Sequence, residues 1–229
     1  MSYNNLLLRL EDLVNNPTAR VPVCLCLDTS GSMWGDPISE LNEGVKLFYE
    51  AIREDETALY SAEISVIKFG GTASIIEDFA NIDRQPIVPI LEAEGITPMG
   101  EAVNLALDSL EKRKQEYKDK GVDYYQPWLV LMTDGSPNGS SSELATAIQR
   151  TVELVNDGKL TVFPIGIGKD ADMKILQKFS PKRKPLRLQG LKFKEFFAWL
   201  SKSVSKTSQS TPGEKIDLDV EGLKGWGEL

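Results

Sequence analysis

The stretch Val21-Pro22-Val23-Cys24-Leu25-Cys26-Leu27-Asp28-Thr29-Ser30-Gly31-Ser32 decides the fold. From Val21 to Leu27 it is apolar without interruption. A strand with one wet face would alternate, so this run predicts a strand covered on both faces, as in a parallel sheet. It stops at Asp28 and a Gly/Ser turn. Asp36 then precedes Pro37, the pattern of a helix N-cap followed by proline at the first helical position. Ile38, Leu41, Val45, Phe48 and Ile52 follow at spacings of three and four, one apolar face of a helix.

The same alternation continues along the chain. Ile64–Phe69 reads as a second strand, and Gly70-Gly71 as a hairpin into a third near Ser74–Phe79, which makes that strand an antiparallel sheet edge. A Pro-containing loop leads to Gly95-Ile96-Thr97-Pro98-Met99-Gly100 and a helix with Val103, Ala106, Leu107 and Leu110 inward. Trp128–Thr133 is another buried strand. Leu144, Ile148, Val152 and Val155 mark the next helix, and Leu160–Ile167 the fifth strand. A short helix around Met173–Phe179, a weak strand at Leu186–Leu188 and a helix with Phe193, Phe196, Phe197, Leu200 and Val204 on one face complete the series. Strands separated by helices predict a doubly wound, Rossmann-like α/β fold. Its sheet would have six strands, mostly parallel, with one antiparallel edge strand and helices on both faces. The domain is expected over residues 21–204, with a short N-terminal helical extension over 1–20 and a flexible tail over 205–229.

Composition narrows the function. The net charge is −8 over 229 residues, which argues against a nucleic-acid partner, because phosphate must be met by Lys and Arg. The charge is uneven: residues 173–206 hold ten Lys or Arg against the single acid Glu195. That segment reads as a solvated surface or as a docking face for an acidic partner. There is no histidine, which removes Ser-His-Asp and Cys-His catalysis and any imidazole-dependent zinc site. Cys24 and Cys26 lie two apart in a strand and so share a face. They read as small core residues of a reduced compartment. No apolar run is long enough to span a bilayer, and no cationic leader precedes Leu6–Leu8, so a cytoplasmic protein with no membrane partner is expected.

Five oxygen-bearing residues carry the chemistry: Asp28, Ser30, Ser32, Thr97 and Asp134. Asp28 and Asp134 follow the two most apolar strands. They therefore sit at strand carboxyl ends, where open α/β sheets place ligands. Thr97 precedes the helix leading into the second of these strands. Hard oxygens select Mg²⁺, with Mn²⁺ or Ca²⁺ as alternatives. Because the hydroxyls add no charge, such an ion stays electrophilic toward one more anionic oxygen, and a carboxylate from another protein suits that position. Met33 and Trp34, beside the site, and Trp226, near the end of the chain, are candidate partner contacts.

These residues carry a resemblance. D-T-S-G-S at 28–32, the Thr of G-I-T-P-M-G and the Asp of M-T-D-G together resemble the metal-ion-dependent adhesion site of von Willebrand factor A domains, over roughly Val21 to Val204. The resemblance implies that Ser30, Ser32 and Thr97 ligate the ion directly or through close waters, and that Asp28 and Asp134 do so directly or via water. It implies a protein-interaction module and no enzyme. The phrases L-D-T-S-G-S-M-x-G-x-P and M-T-D-G-S-P are most similar to bacterial cytosolic members, including the group associated with tellurium resistance. That implies a stress-response or signalling setting, with kinase or phosphatase partners. Asn138 departs from the acidic or Thr residue that often follows T-D-G-x-P there.

Other readings compete less well. A phosphotransferase of the haloacid-dehalogenase type needs a second Asp where Ser30 stands. No P-loop occurs, and Gly166-Ile167-Gly168 lacks the third glycine of a dinucleotide fingerprint. A metal-dependent hydrolase or phosphatase remains an alternative, although Asp36 is the only further acid near the motifs and reads as a cap. An adaptor that binds through its tails, with Ile216, Leu218, Val220, Leu223 and Trp226 as the apolar contacts and the metal site vestigial, is the other.

Overall fold

The computed structural model describes residues 11–213 together with 225, 227 and 228. Strand β1 (Val21–Asp28) is buried along its whole length, as its unbroken apolar run requires. It pairs in parallel with β2 (Ala62–Gly70) on one side and with β4 (Trp128–Thr133) on the other. A hairpin at Gly70-Gly71 joins β2 to the antiparallel edge strand β3 (Thr72–Asn81). Beyond β4 lie β5 (Thr161–Ile167) and β6 (Leu186–Leu188), both parallel. The expected six-stranded mixed sheet is present. A two-residue strand, β7 (Gly227–Glu228), adds antiparallel to β6 at the other edge, in the order β3-β2-β1-β4-β5-β6-β7.

Helices cover both faces. On one lie α1 (Asp36–Glu54), the short α2 (Glu56–Ser61) and, after the others in sequence, α6 (Phe193–Ser208). Leu41, Val45, Phe48 and Ile52 of α1 meet Phe193, Phe197 and Leu200 of α6 in one core. On the other face lie α3 (Met99–Lys120), α4 (Ser141–Asn156) and α5 (Met173–Phe179). There Cys24 and Cys26 pack with Val103, Ala106, Leu107 and Leu110 in a second core, both thiols free and buried. Burial pushes both thiols above their ordinary range, so they are inert packing groups. Among the described residues, no helix is long and apolar enough to cross a membrane.

Three local readings shift. Gly35, at φ 90°, takes the N-cap position of α1, so Asp36 is not the cap but the first helical residue. Only glycine adopts that φ cheaply, and Asp36 one residue on still faces the positive end of the helix dipole. The buried stripe of α4 is Ala147, Thr151 and Val155, with Leu144 and Ile148 half-buried beside it, because the helix also packs on α3. Helix α6 runs to Ser208, past the expected boundary at Val204. Its Ser/Thr-rich end reads as a linker, yet the hydroxyls of Ser203, Thr207 and Ser208 donate to carbonyls of the preceding turn and Tyr125 reaches Ser208 O.

One buried cluster had no forewarning. Glu63, at the start of β2, is fully buried and accepts from Arg113 Nε at 2.6 Å, Arg113 Nη2 at 2.7 Å, Tyr117 Oη at 2.6 Å and Arg20 Nε at 3.2 Å. Arg20 in turn donates to the carbonyls of Asp12, Asn16 and Thr18, closing the C-terminal end of the helical segment over residues 11–15. The N-terminal extension is thereby tied to the end of the sheet opposite Asp28.

Candidate metal centre

The topology brings the carboxyl ends of β1 and β4 side by side, and the site grows from them. Asp28, the last residue of β1, is fully buried. Its Oδ1 accepts from Ser30 N at 2.8 Å and its Oδ2 from Thr133 Oγ1, on the neighbouring strand, at 2.5 Å. Both oxygens are thus aimed by short-range geometry rather than left to rotate. The chain then turns through Gly31–Met33. Ser30 Oγ lies 3.1 Å from Ser32 Oγ, and Ser32 Oγ donates to Asp134 Oδ1 at 2.7 Å. Four of the five expected residues therefore form one hydrogen-bonded chain across two strand ends.

Thr97 arrives from a third segment. Its loop is fastened to the first by Gly31 N to Gly95 O at 2.9 Å and Glu94 N to Thr29 O at 2.7 Å. Its backbone is fastened to the loop after β4 by Asn138, whose side chain accepts from Thr97 N at 2.5 Å and whose own N–H donates to Thr97 O at 3.2 Å. The hydroxyl of Thr97 shares no hydrogen bond with the other four among the described residues. Asn138, which stood out in the sequence only as a departure from a related motif, is a positioning residue. Close approach is also built into the backbone at Gly70, where a Cβ would fall 2.1 Å from Thr29 O.

The electrostatics suit a cation. Burial raises the pKa of Asp28 most, and the charge of Asp134 adds to it, against hydrogen bonds from Ser30 and Thr133. Burial likewise raises Asp134, with Asp170 adding, against the Ser32 hydrogen bond. Neither carboxylate has an ion-pair partner among the described residues. One buried and one half-buried carboxylate and neutral serine hydroxyls converge with no lysine or arginine among the described residues to balance them, and a divalent ion fits that donor set. Among the described residues no three Asp, Glu, Cys or His side chains gather at any point, so the candidate donors here are two carboxylates completed by hydroxyls.

Of the candidate partner contacts, Trp34 is 80% exposed. Met33 is fully buried, because the turn Gly31–Met33 points its side chain under the loop into the core with Leu41, and it cannot meet a partner. Trp226 lies outside the described residues. The basic segment 173–206 is spread over several tasks: Lys182 caps the last carbonyls of α4, Arg187 donates to Gly168 O, and Lys194 pairs with Glu40.

The model of the von Willebrand factor type A domain matches residues 23–194. The chain belongs to that family. It is 27% identical over 176 residues to inter-alpha-trypsin inhibitor heavy chain 4 of Mus musculus, covering 72% of this chain and 17% of that protein. The chain spans between 17% and 35% of the length of the curated relatives it matches. Among solved structures, the von Willebrand factor domain of the type V pilus tip protein Mfa5 from Porphyromonas gingivalis superposes with a TM-score of 0.63 at 12% identity, over 87% of this chain and 99% of that one. The manganese-loaded TRAP protein of Plasmodium vivax does so with a TM-score of 0.53 at 20% identity, over 72% and 63%. Both likenesses concern the fold. Domains of this family often mediate metal-dependent protein–protein interaction.

Two predictions arise from this geometry. Asn138→Ala is expected to weaken divalent-cation binding by about 10–100-fold, the usual cost of losing an outer-shell partner, with little change in stability because Asn138 is exposed. Titration with Mn²⁺ followed by its electron-spin resonance reads this, and a change under twofold would refute it. The second concerns pH. An acid whose pKa is raised in the folded state costs stability above that pKa, and the cost fades as pH falls. Without metal, Asp28 and Asp134 should therefore contribute a gain in melting temperature as pH drops through the carboxylate range. Saturating Mg²⁺ should add about 5–10 °C near neutral pH, and that increment should shrink and vanish as pH falls through the carboxylate range and protons displace the ion. A pH-independent increment would place the ion elsewhere.

Proposed function

We propose that the chain is a metal-dependent protein-interaction module. Asp28, Ser30, Ser32, Thr97 and Asp134 would hold one divalent cation, Mg²⁺ by preference and Mn²⁺ or Ca²⁺ as substitutes. When bound, the ion supplies an electrophilic position for a carboxylate of a partner protein. The protein's own residues do the rest. Thr133 and Ser30 fix the Asp28 carboxylate. Asn138 fixes the Thr97 loop. The observation that carries the reading is the convergence of the buried Asp28 carboxylate, the half-buried Asp134 carboxylate and the serine hydroxyls on one strand-end crevice, with no balancing cation among the described residues.

A hydrolytic reading lacks a matching observation. Asp36 faces solvent in the first turn of α1, and Asp172 caps α5. The motif phrases further support a bacterial, cytoplasmic setting in a stress-response assembly of the tellurium-resistance kind. Co-purification with the products of adjoining genes, in Mg²⁺ and then in EDTA, tests both parts. Binding that survives EDTA and Asp28→Ala would rule out the metal bridge.

A further inference from the structure

We infer that the partner supplies, next to its metal-seeking carboxylate, a bulky apolar side chain that seats between Trp34 and Ile96. The inference rests on the metal-bridge reading and adds the chemistry of the residue beside the acid. Trp34 is 80% exposed and Ile96 50% exposed, whereas the fold holds Trp128 at 5%. Leaving an indole in water forgoes about 25 cal/mol per Å² of apolar burial. These two side chains stand on the very loops that carry Ser30, Ser32 and Thr97.

Neither is on a loose tip. Trp34 N donates to Gly31 O at 3.3 Å, and Met33 beside it is locked into the core, so the turn presents the indole outward from a fixed base. Ile96 is held by its own carbonyl accepting from Gly71 N at 2.8 Å, and its neighbour Thr97 by Asn138. The Gly31–Gly95 bond fastens the two loops to each other. The result is two exposed apolar side chains on hydrogen-bonded loops that also carry Ser30, Ser32 and Thr97. Pre-organised exposed aromatics of this kind are what binding hot spots use.

The surrounding charge sharpens the partner further. Asp36 follows Trp34 and is exposed, and Asp170, exposed on the loop after β5, acts on Asp134. Glu94, two residues before Ile96, is paired with Lys68 at 2.9 Å. A partner rich in acids would be repelled by Asp36 and Asp170 once its first carboxylate had met the ion. The fitting segment has one Asp or Glu with an aliphatic or aromatic neighbour, not an acidic tract.

Selection of a random-peptide display library on the intact chain in Mn²⁺ tests this. Enrichment of a single acid flanked by Leu, Ile, Phe or Trp is the expected outcome. Trp34→Ser and Ile96→Ser should each weaken the selected peptides, by about 30-fold for Trp34, while Mn²⁺ affinity stays within twofold. Ile87→Ser, at another exposed isoleucine, should change neither. Acids enriched without an apolar neighbour, or peptides indifferent to Trp34→Ser, would overturn the inference and leave the metal bridge standing. Selection unaffected by EDTA would overturn the metal bridge itself, and the inference with it.

Discussion

Glu63→Ala is expected to lower the unfolding free energy by about 3–5 kcal/mol, the range found when one partner of a buried charge network is removed. At about 2–4 °C per kcal/mol for a domain of this size, the melting temperature should fall by roughly 6–20 °C. The reason lies in what is left behind. Arg113 is 1% exposed and Arg20 fully buried, and both direct donors at the Glu63 carboxylate. Without it, two guanidinium groups remain in the interior with one anion fewer. Glu116, at 2.6 Å from Arg113, and Asp12, at 3.4 Å from Arg20, offset the two charges only in part. Tyr117 also loses its acceptor. A second readout separates this network from ordinary core loss. Arg20 uses its remaining donors on the carbonyls of Asp12, Asn16 and Thr18, so Glu63→Ala should also expose residues 11–20 to limited proteolysis before the domain melts. A loss below about 1 kcal/mol with unchanged proteolysis would show that the network is not what ties the extension down.

Nothing in the sequence announces that cluster. Glu63 stands just before the apolar run Ile64–Phe69, and nothing in that run marks it for burial. Arg113 sits in E-K-R-K-Q-E, a charged helix stretch whose period says only that a surface is near. Their meeting depends on the crossing of α3 over β2, which is tertiary information. By contrast β1 and β4 were legible because a strand buried on both faces has only one pattern, and Asp28 and Asp134 inherited their positions from those strands. Ser32 and Thr97 were legible by chemistry, as hydroxyls in loops at the same sheet end. Met33 misled because its neighbour Trp34 is exposed: in a tight turn adjacent side chains point to opposite sides, and the sequence does not say which faces out. Asn138 was visible only as an oddity. Its function, a two-bond clasp on the Thr97 backbone, involves residues 41 apart. The Ser/Thr-rich end of α6 shows the same limit in reverse, since hydroxyls that favour loops also close hydrogen bonds within a helix once Tyr125 meets their carbonyls.

Asp28→Asn is expected to raise the stability of the metal-free chain while removing its response to Mg²⁺. Asparagine preserves the shape of the site: its amide oxygen accepts from Ser30 N as Asp28 Oδ1 does, and its amide nitrogen faces Thr133 Oγ1, whose hydroxyl can turn to accept. What changes is the charge. Burial and the facing carboxylate of Asp134 both raise the pKa of Asp28, so near neutral pH its ionised form is a cost to the folded state. Removing that charge relieves the cost, and Asp134 no longer faces a like charge. The same charge is what attracts the cation, and a neutral amide is a weaker ligand for a hard divalent ion. The loss in Mn²⁺ affinity should therefore exceed the about 10–100-fold of an outer-shell change such as Asn138→Ala. Melting curves of the two proteins should cross: the variant melts higher in EDTA and lower in saturating Mg²⁺. If Asp28 were a turn former alone, the variant would melt at or below the parent in both conditions and Mg²⁺ would stabilise the two equally. A carboxylate held at a cost to the empty site, with no ion-pair partner among the described residues, is what a cation-binding role requires, and the crossing of the curves tests that role directly.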